Sequence, residues 1–114
     1  MHYQKPPHEE AKLVRCTMGA IFDVIIDLRP DSSTYKQWVG EKLTAQNRRM
    51  FYIPETFAHG FVTLADTTEV FYQMSTPYVH DSAAGIRWDD PALSIDWPEQ
   101  PQIISERDGA YAYL

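Results

Sequence analysis

The segment at residues 20–28 reads AIFDVIIDL and is rich in β-branched and aromatic side chains. A run of this length and composition is typical of a β-strand. A second such run at 13–17 precedes it and ends near Gly19, and the turn-favouring sequence RPDSST follows it at 29–34. The sequence therefore predicts two strands that are nearly adjacent along the chain.

Further short strands are predicted outward from this pair, at 35–39, 40–44, 50–53, 60–64 and 69–75. The polar segments AQNR, PETFAH and ADTT separate them. Many short strands with turn chemistry between them favour an all-β sandwich or barrel. We expect one domain over residues 1–114, because no repeat, linker or low-complexity tract divides the chain.

The last third of the chain has a different character. After Thr76 it carries prolines at 77, 91, 98 and 101, which favour an extended, irregular segment. We expect this segment to wrap the barrel. The sequence DDPAL at 89–93 is the one candidate for a helical turn, because proline suits the first helical position.

Composition excludes several function classes. The 10 Lys and Arg are scattered among 16 Asp and Glu, with a net charge of −6 and a pI near 5.0, so the basic stripe of a nucleic-acid-binding protein is absent. No stretch approaches the ~20 apolar residues of a membrane span, and the N-terminus has no apolar signal region. We therefore expect a cytoplasmic protein with no nucleic acid or membrane partner. Cys16 is expected to be a packed thiol in a strand.

Among the four histidines, His8 and His80 lie in polar segments typical of solvated loops. His59 precedes Gly60 where a loop leads into a predicted strand, a place where a ligand can approach the backbone closely. On residue type alone, a hydrogen-bonded structural histidine and a binding histidine are both consistent with this position.

A series of collinear motifs points to one family. They are HYQ (2–4), KLVR (12–15), GxxFDVxxDLR (19–29), SxTYxxWxG (32–40), IPETFAHGF (53–61), FYQMSTPY (71–78), GIRWDDPAL (85–93) and SERD (105–108). In order and spacing they resemble the dTDP-4-dehydrorhamnose 3,5-epimerase family over nearly the whole chain. The resemblance implies a cupin-type jelly roll without a metal or other cofactor, usually a homodimer, that acts on a nucleotide-linked 4-keto-6-deoxy sugar. Tyr and Gln in HYQ also stand where metal-binding cupins have a second histidine.

The resemblance also implies roles for individual residues. His2 matches the family's general base, Asp108 matches the aspartate that orients it, and Tyr72 matches the tyrosine that acts as the acid. Lys12 matches a lysine that stabilises the enolate. Three further positions match residues near the sugar and nucleotide and are expected to bind substrate: His59, Tyr78 and Arg107.

This chain departs from the family pattern at two places. Family members usually carry additional strands and an arginine before the histidine that His2 matches, and Ala83 or Ala84 stands where a nucleotide-contacting glutamate is frequent. Without those strands we expect exposed sheet edges and oligomerisation. Two functions follow as alternatives: an epimerase acting at one or both carbons beside the ketone, or a non-catalytic cupin that binds sugar or a protein partner.

Overall fold

A computed structural model describes all residues, 1–114, and consists mainly of β-strands. In chain order the strands are β1 (His2–Gln4), β2 (Lys12–Met18), β3 (Ala20–Asp27), β4 (Trp38–Thr44), β5 (Met50–Ile53), β6 (Phe57–Thr63), β7 (Glu69–Met74) and β8 (Ala83–Gly85). A 3₁₀ turn (His80–Ser82) precedes β8, and one helix, α1 (Glu106–Ala110), lies near the C-terminus.

The strands form two sheets. The larger has the order β4-β3-β6-β1-β8 and the smaller the order β5-β2-β7, and all pairs are antiparallel. The non-sequential order places β1, the first strand, between β6 and β8. The predicted all-β, cupin-type jelly roll is confirmed.

Strand β3 builds two cores because its side chains alternate between two faces. On the inner face, Ile21 and Ile25 pack with Val14 of the smaller sheet. On the outer face, Val24 and Ile26 pack with a cluster that contains residues of the C-terminal segment. Each fully buried aliphatic side chain contributes roughly 1.5–3 kcal/mol. The three layers are thus the smaller sheet, the larger sheet and the C-terminal segment.

The prediction of two strands at 35–39 and 40–44 is wrong. One strand, Trp38–Thr44, occupies most of this region, and residues 35–37 belong to a turn. In that turn Tyr35 N donates to Ser32 O, and Lys36 has a φ of 64°. A left-handed residue interrupts an extended strand. The structure also adds β1 and β8, which the sequence pattern did not predict.

The segment 89–93 contains the predicted single helical turn, which is too short to count as a helix. Leu93 N and Ser94 N both donate to Asp90 O (3.1 and 3.2 Å). The carboxylate of Asp90 accepts a hydrogen bond from Ala92 N (2.8 Å), and its second oxygen accepts one from Leu114 N (2.6 Å). The buried side chain of Asp90 therefore caps this turn, as short polar side chains commonly do at the start of a helical turn. None of the helices has the length and apolar character needed to cross a membrane.

Candidate active site

A cavity of about 780 Å³ lies beside strands β1, β2, β6 and β7 and the C-terminal segment. All seven site residues predicted from the sequence line it: His2, Lys12, His59, Tyr72, Tyr78, Arg107 and Asp108. They come from positions spread over more than a hundred residues of sequence. The fold therefore brings the predicted set to one place.

The side chains of His2 and Asp108 are hydrogen-bonded to each other through Nε2 and Oδ1. His2 is held by β1 in the interior of the larger sheet, and Asp108 lies in α1. Ser105 caps this helix by accepting from Asp108 N (3.1 Å), and its hydroxyl donates to Asp108 Oδ2 (2.7 Å). Both oxygens of the carboxylate are thereby fixed relative to the imidazole.

The protonation states of this pair follow from their surroundings. Burial alone raises the pKa of Asp108, but hydrogen bonds from His2 and Ser105 outweigh it, so the pKa lies below its usual value. Burial lowers the pKa of His2, against the opposing effect of Asp108. At neutral pH an ionised carboxylate therefore faces a neutral imidazole. The carboxylate can only accept, so Nε2 carries the proton and Nδ1 keeps a free lone pair.

Tyr111 lies against the other side of His2. The two rings meet edge to face with centroids 5.8 Å apart, and Arg107 Nε donates to the hydroxyl of Tyr111 (2.7 Å). The hydroxyl of Tyr111, and to a smaller extent that of Tyr78, raises the pKa of Arg107. Arg107 is therefore a permanent cation at the edge of the cavity. The same ring of Tyr111 lies directly over Gly85, where any Cβ would collide with it.

Lys12 and Tyr72 reach the cavity from the smaller sheet. Lys12 pairs with Met74 in the register of β2 and β7, and Tyr72 pairs with Val14, so both side chains are on the inner face of that sheet. Lys12 is buried, whereas Tyr72 is 52% exposed. Its phenol therefore borders the open part of the cavity, where it can meet a bound molecule.

A second histidine–aspartate pair lies beside the first. His59 is the direct register partner of His2, and its Nε2 is 2.5 Å from Oδ1 of Asp23. His59 on β6 lies directly opposite Ile25 on β3. Asp23 is two residues before Ile25 on the same face of β3, so it is a diagonal neighbour of His59. Asp23 is fully buried, so His59 is a hydrogen-bonded histidine that also lines the cavity.

Sequence reasoning missed Asp23 as a site residue. A signal was available, because Asp23 lies between the apolar residues Ile21 and Ile25 on the inner face of the strand. A charged side chain at such a position is costly unless it has a partner. The partner is 36 positions away, so the pattern could show the anomaly without identifying His59.

Comparisons with known proteins point to one family. The family model described as dTDP-4-dehydrorhamnose 3,5-epimerase matches residues 1–114. A dTDP-4-dehydrorhamnose 3,5-epimerase of Shigella flexneri is 44% identical over 108 residues, which are 95% of this chain and 60% of that protein. The chain thus spans about 60% of the length of the curated relatives it matches.

Solved structures give the same result. The Bacillus anthracis dTDP-4-dehydrorhamnose 3,5-epimerase with TDP and PPi bound has a TM-score of 0.96 at 44% identity, covering 99% of this chain and 65% of that one. The Legionella pneumophila epimerase RmlC in complex with dTDP-4-keto-L-rhamnose has a TM-score of 0.93 at 40% identity, covering 98% and 60%. With the family model matching its whole length, this chain belongs to the dTDP-4-dehydrorhamnose 3,5-epimerase family.

Proposed function

We propose that this chain epimerises a dTDP-linked 4-keto-6-deoxy sugar by removing a proton beside the C4 ketone and returning one to the opposite face. The observation that carries the proposal is the hydrogen-bonded pair of His2 and Asp108 facing the same cavity as Lys12 and Tyr72. The Legionella relative, solved with dTDP-4-keto-L-rhamnose, supports this substrate class.

In the proposed mechanism His2 is the base. Its Nδ1 takes the proton from the carbon next to the ketone, and the electron pair of that bond moves to the ketone oxygen to form an enolate. The carboxylate of Asp108 accepts from Nε2–H and stabilises the imidazolium that forms. Positive charge or hydrogen-bond donors must then stabilise the enolate oxygen, and the ammonium of Lys12 fits this role.

Inversion requires a donor on the other face of the sugar ring. We assign this role to the phenol of Tyr72, which comes from the smaller sheet while His2 comes from the larger one. The hydroxyl of a phenol is a proton donor at neutral pH and can donate when the enolate collapses. Afterwards His2 releases its proton to water and Tyr72 regains one, so the protein returns to its starting state.

The remaining residues are assigned to substrate binding. Arg107 carries a permanent charge that suits a diphosphate, and Tyr78 lies near it. His59, fixed by Asp23 (2.5 Å), lies next to His2 and is placed to hydrogen-bond the sugar. These assignments make the edge at Arg107 the nucleotide side of the cavity and the region around His2 the sugar side.

Proton exchange with heavy water tests the proposed function. The protein is incubated with dTDP-4-keto-6-deoxyglucose in D₂O, and deuterium at C3 and C5 is followed by NMR. We expect enzyme-dependent incorporation at one or both carbons, and the pattern defines which centres are epimerised. Folded protein that binds the nucleotide sugar but gives no exchange at either carbon contradicts the catalytic proposal and supports the sugar-binding alternative.

We also propose that the chain acts as a homo-oligomer. Met50, Tyr52 and Phe71 lie together on the outer face of the smaller sheet and are 47–64% exposed, and β5 and β7 are both edge strands. Contiguous exposed apolar side chains and free edges favour association. Analytical ultracentrifugation tests this; a folded monomer that persists at micromolar concentration contradicts it.

A further inference from the structure

Glu10 is a buried carboxylate that lines the cavity and has no role in the proposed mechanism. Its Oε1 lies 3.2 Å from Nζ of Lys12, and the two side chains are only 5% and 9% exposed. The neighbouring backbone is fixed to the end of β7, because Ala11 N donates to the hydroxyl of Ser75 (2.9 Å) and Ser75 N donates to Ala11 O (3.0 Å). Glu10 is thus held in place beside Lys12.

The second oxygen of this carboxylate has no hydrogen-bond partner. Oε2 of Glu10 is buried, and no group of the protein donates to it. The only other buried side-chain oxygen in this condition is Oδ2 of Asp23, and Asp23 does not line the cavity. Buried polar atoms are nearly always paired, and an unpaired charged one is costly. A donor supplied by a molecule in the cavity would remove that cost.

We propose that Glu10 is a substrate-binding residue: Oε1 holds the Lys12 ammonium while Oε2 accepts a hydrogen bond from a hydroxyl of the bound sugar. This inference rests on the proposed function, which provides a sugar in the cavity. If Lys12 stabilises the C4 oxygen, the group bound to Glu10 lies within a few ångströms of C4. Of the two carbons next to C4, only C3 carries a hydroxyl in a 6-deoxyhexose, since C5 carries a methyl group and the ring oxygen. The C3 hydroxyl is therefore the one assigned to Oε2.

Binding measurements with inert ligands separate this contact from catalysis. The affinities of dTDP, dTDP-6-deoxyglucose and its 3-deoxy counterpart are measured by calorimetry for the wild type and for Glu10→Gln. The glutamine keeps an oxygen for Lys12 but places an NH₂ group, which cannot accept, at the position of Oε2. We expect at least about tenfold weaker binding of dTDP-6-deoxyglucose, with less than twofold change for dTDP and for the 3-deoxy sugar.

Glu9→Gln is the matched control, because it removes the same charge one position away and Glu9 does not line the cavity. It should leave all three affinities within twofold. Glu10→Ala is a second variant, expected to show the same selectivity. Equal losses for all three ligands, no loss for any, or the same losses in Glu9→Gln would overturn the inference. A wild-type protein that binds none of the three ligands would overturn both the proposed function and this inference. If the wild type exchanges protons with D₂O but Glu10→Gln shows no selective loss of affinity for dTDP-6-deoxyglucose, only the inference is overturned.

Discussion

Nε2 of His2 is hydrogen-bonded to Oδ1 of Asp108 although 106 positions separate the two residues. The partner of the imidazole is an ionised carboxylate, so the ring must present a proton at Nε2 and a lone pair at Nδ1. The contact therefore selects a tautomer as well as an orientation, and in the proposed mechanism it leaves Nδ1 to receive the substrate proton.

Replacing the carboxylate should disturb the tautomer. In Asp108→Asn the amide NH₂ can donate to Nε2, which stabilises the wrong tautomer and leaves the imidazolium without a counter-charge. We expect the exchange rate to fall at least about 100-fold, in line with the effect of this substitution in a serine-protease triad. Asp96→Asn, at an exposed acid of the C-terminal segment, is the control and should exchange normally. An Asp108→Asn variant with wild-type exchange would show that the pair is not catalytic.

The pH dependence of exchange should reflect the lowered pKa of His2. The base works in its neutral form, and burial displaces the pKa of His2 below its ordinary value of 6.5. A lowered pKa means that the proton leaves at lower pH, so kcat/KM should rise with pH and reach half of its plateau below pH 6.5. Initial exchange rates between pH 4.5 and 8 measure this. A midpoint of the acidic limb above 6.5 would contradict the assignment of His2 as the base.

Tyr72→Phe should separate proton removal from proton return. The ring volume is kept and the side chain is half exposed, so stability should change by less than about 0.5 kcal/mol. Exchange catalysed by His2 should persist, while formation of the inverted sugar falls at least about 100-fold. Product stereochemistry by NMR and exchange are read from the same sample. Tyr52→Phe, on the outer face of the smaller sheet, is the control; equal loss of exchange and inversion in Tyr72→Phe would argue against its role as the acid.

Asp27 is predicted to stabilise the loop after β3. Its carboxylate accepts hydrogen bonds from Arg29 Nη2 (2.7 Å), Ser32 Oγ (2.6 Å) and Thr34 Oγ1 (2.6 Å). These bonds hold the pKa of Asp27 far below its usual value, and the bond from Arg29 has the largest effect. A depressed folded-state pKa gives stability that is present above the unfolded pKa of ~3.9 and is lost as pH falls. Asp27→Asn should cost about 3 kcal/mol at pH 7 by urea unfolding, and Asp31→Asn in the same loop about 0.5 kcal/mol or less. Equal midpoints for the two variants would refute this role.

Gly85 is predicted to act on the site through Tyr111. A Cβ at Gly85 would overlap the ring of Tyr111, which packs on His2 and hydrogen-bonds Arg107. Gly85→Ala should therefore displace the C-terminal segment and reduce exchange about tenfold or more, since small displacements of catalytic groups have large effects on rate. Gly109→Ala is the control because a Cβ added at Gly109 would have no atom within 4 Å. Removing the ring in Gly85→Ala/Tyr111→Ala should relieve the overlap; exchange no higher than in Gly85→Ala would contradict the mechanism proposed for this effect.

The central strands could be predicted from the sequence because their signal is local. The run AIFDVIIDL carries enough β-branched and aromatic residues to identify β3 almost to its ends. Strands β1 and β8 span three residues each, too few for any periodicity, and exist because they pair with each other in register from His2–Gly85 to Gln4–Ala83. Such pairing is a property of the folded chain, so no local sequence pattern predicts it.

Some residues of the candidate site could likewise be predicted from the sequence, and others could be found only in the structure. Seven residues were identified through the resemblance, and all line the cavity. Asp23 and Glu10 were not, because each is recognisable only from a contact in the folded chain. Asp23 is bonded to His59 on the neighbouring strand, and Glu10 is buried beside Lys12 with one unpaired oxygen. In the sequence HEEAK, Glu10 cannot be distinguished from a solvated acidic residue without its structural surroundings.

The long separation of His2 and Asp108 also has a kinetic consequence. Joining segments so distant in sequence requires closing a loop that spans nearly the whole chain, and contacts of this kind form late. β2, β3 and β4 can meet their neighbours through shorter loops. During refolding, circular dichroism should therefore recover before catalytic turnover does, and the appearance of activity would time the moment at which the last segment docks.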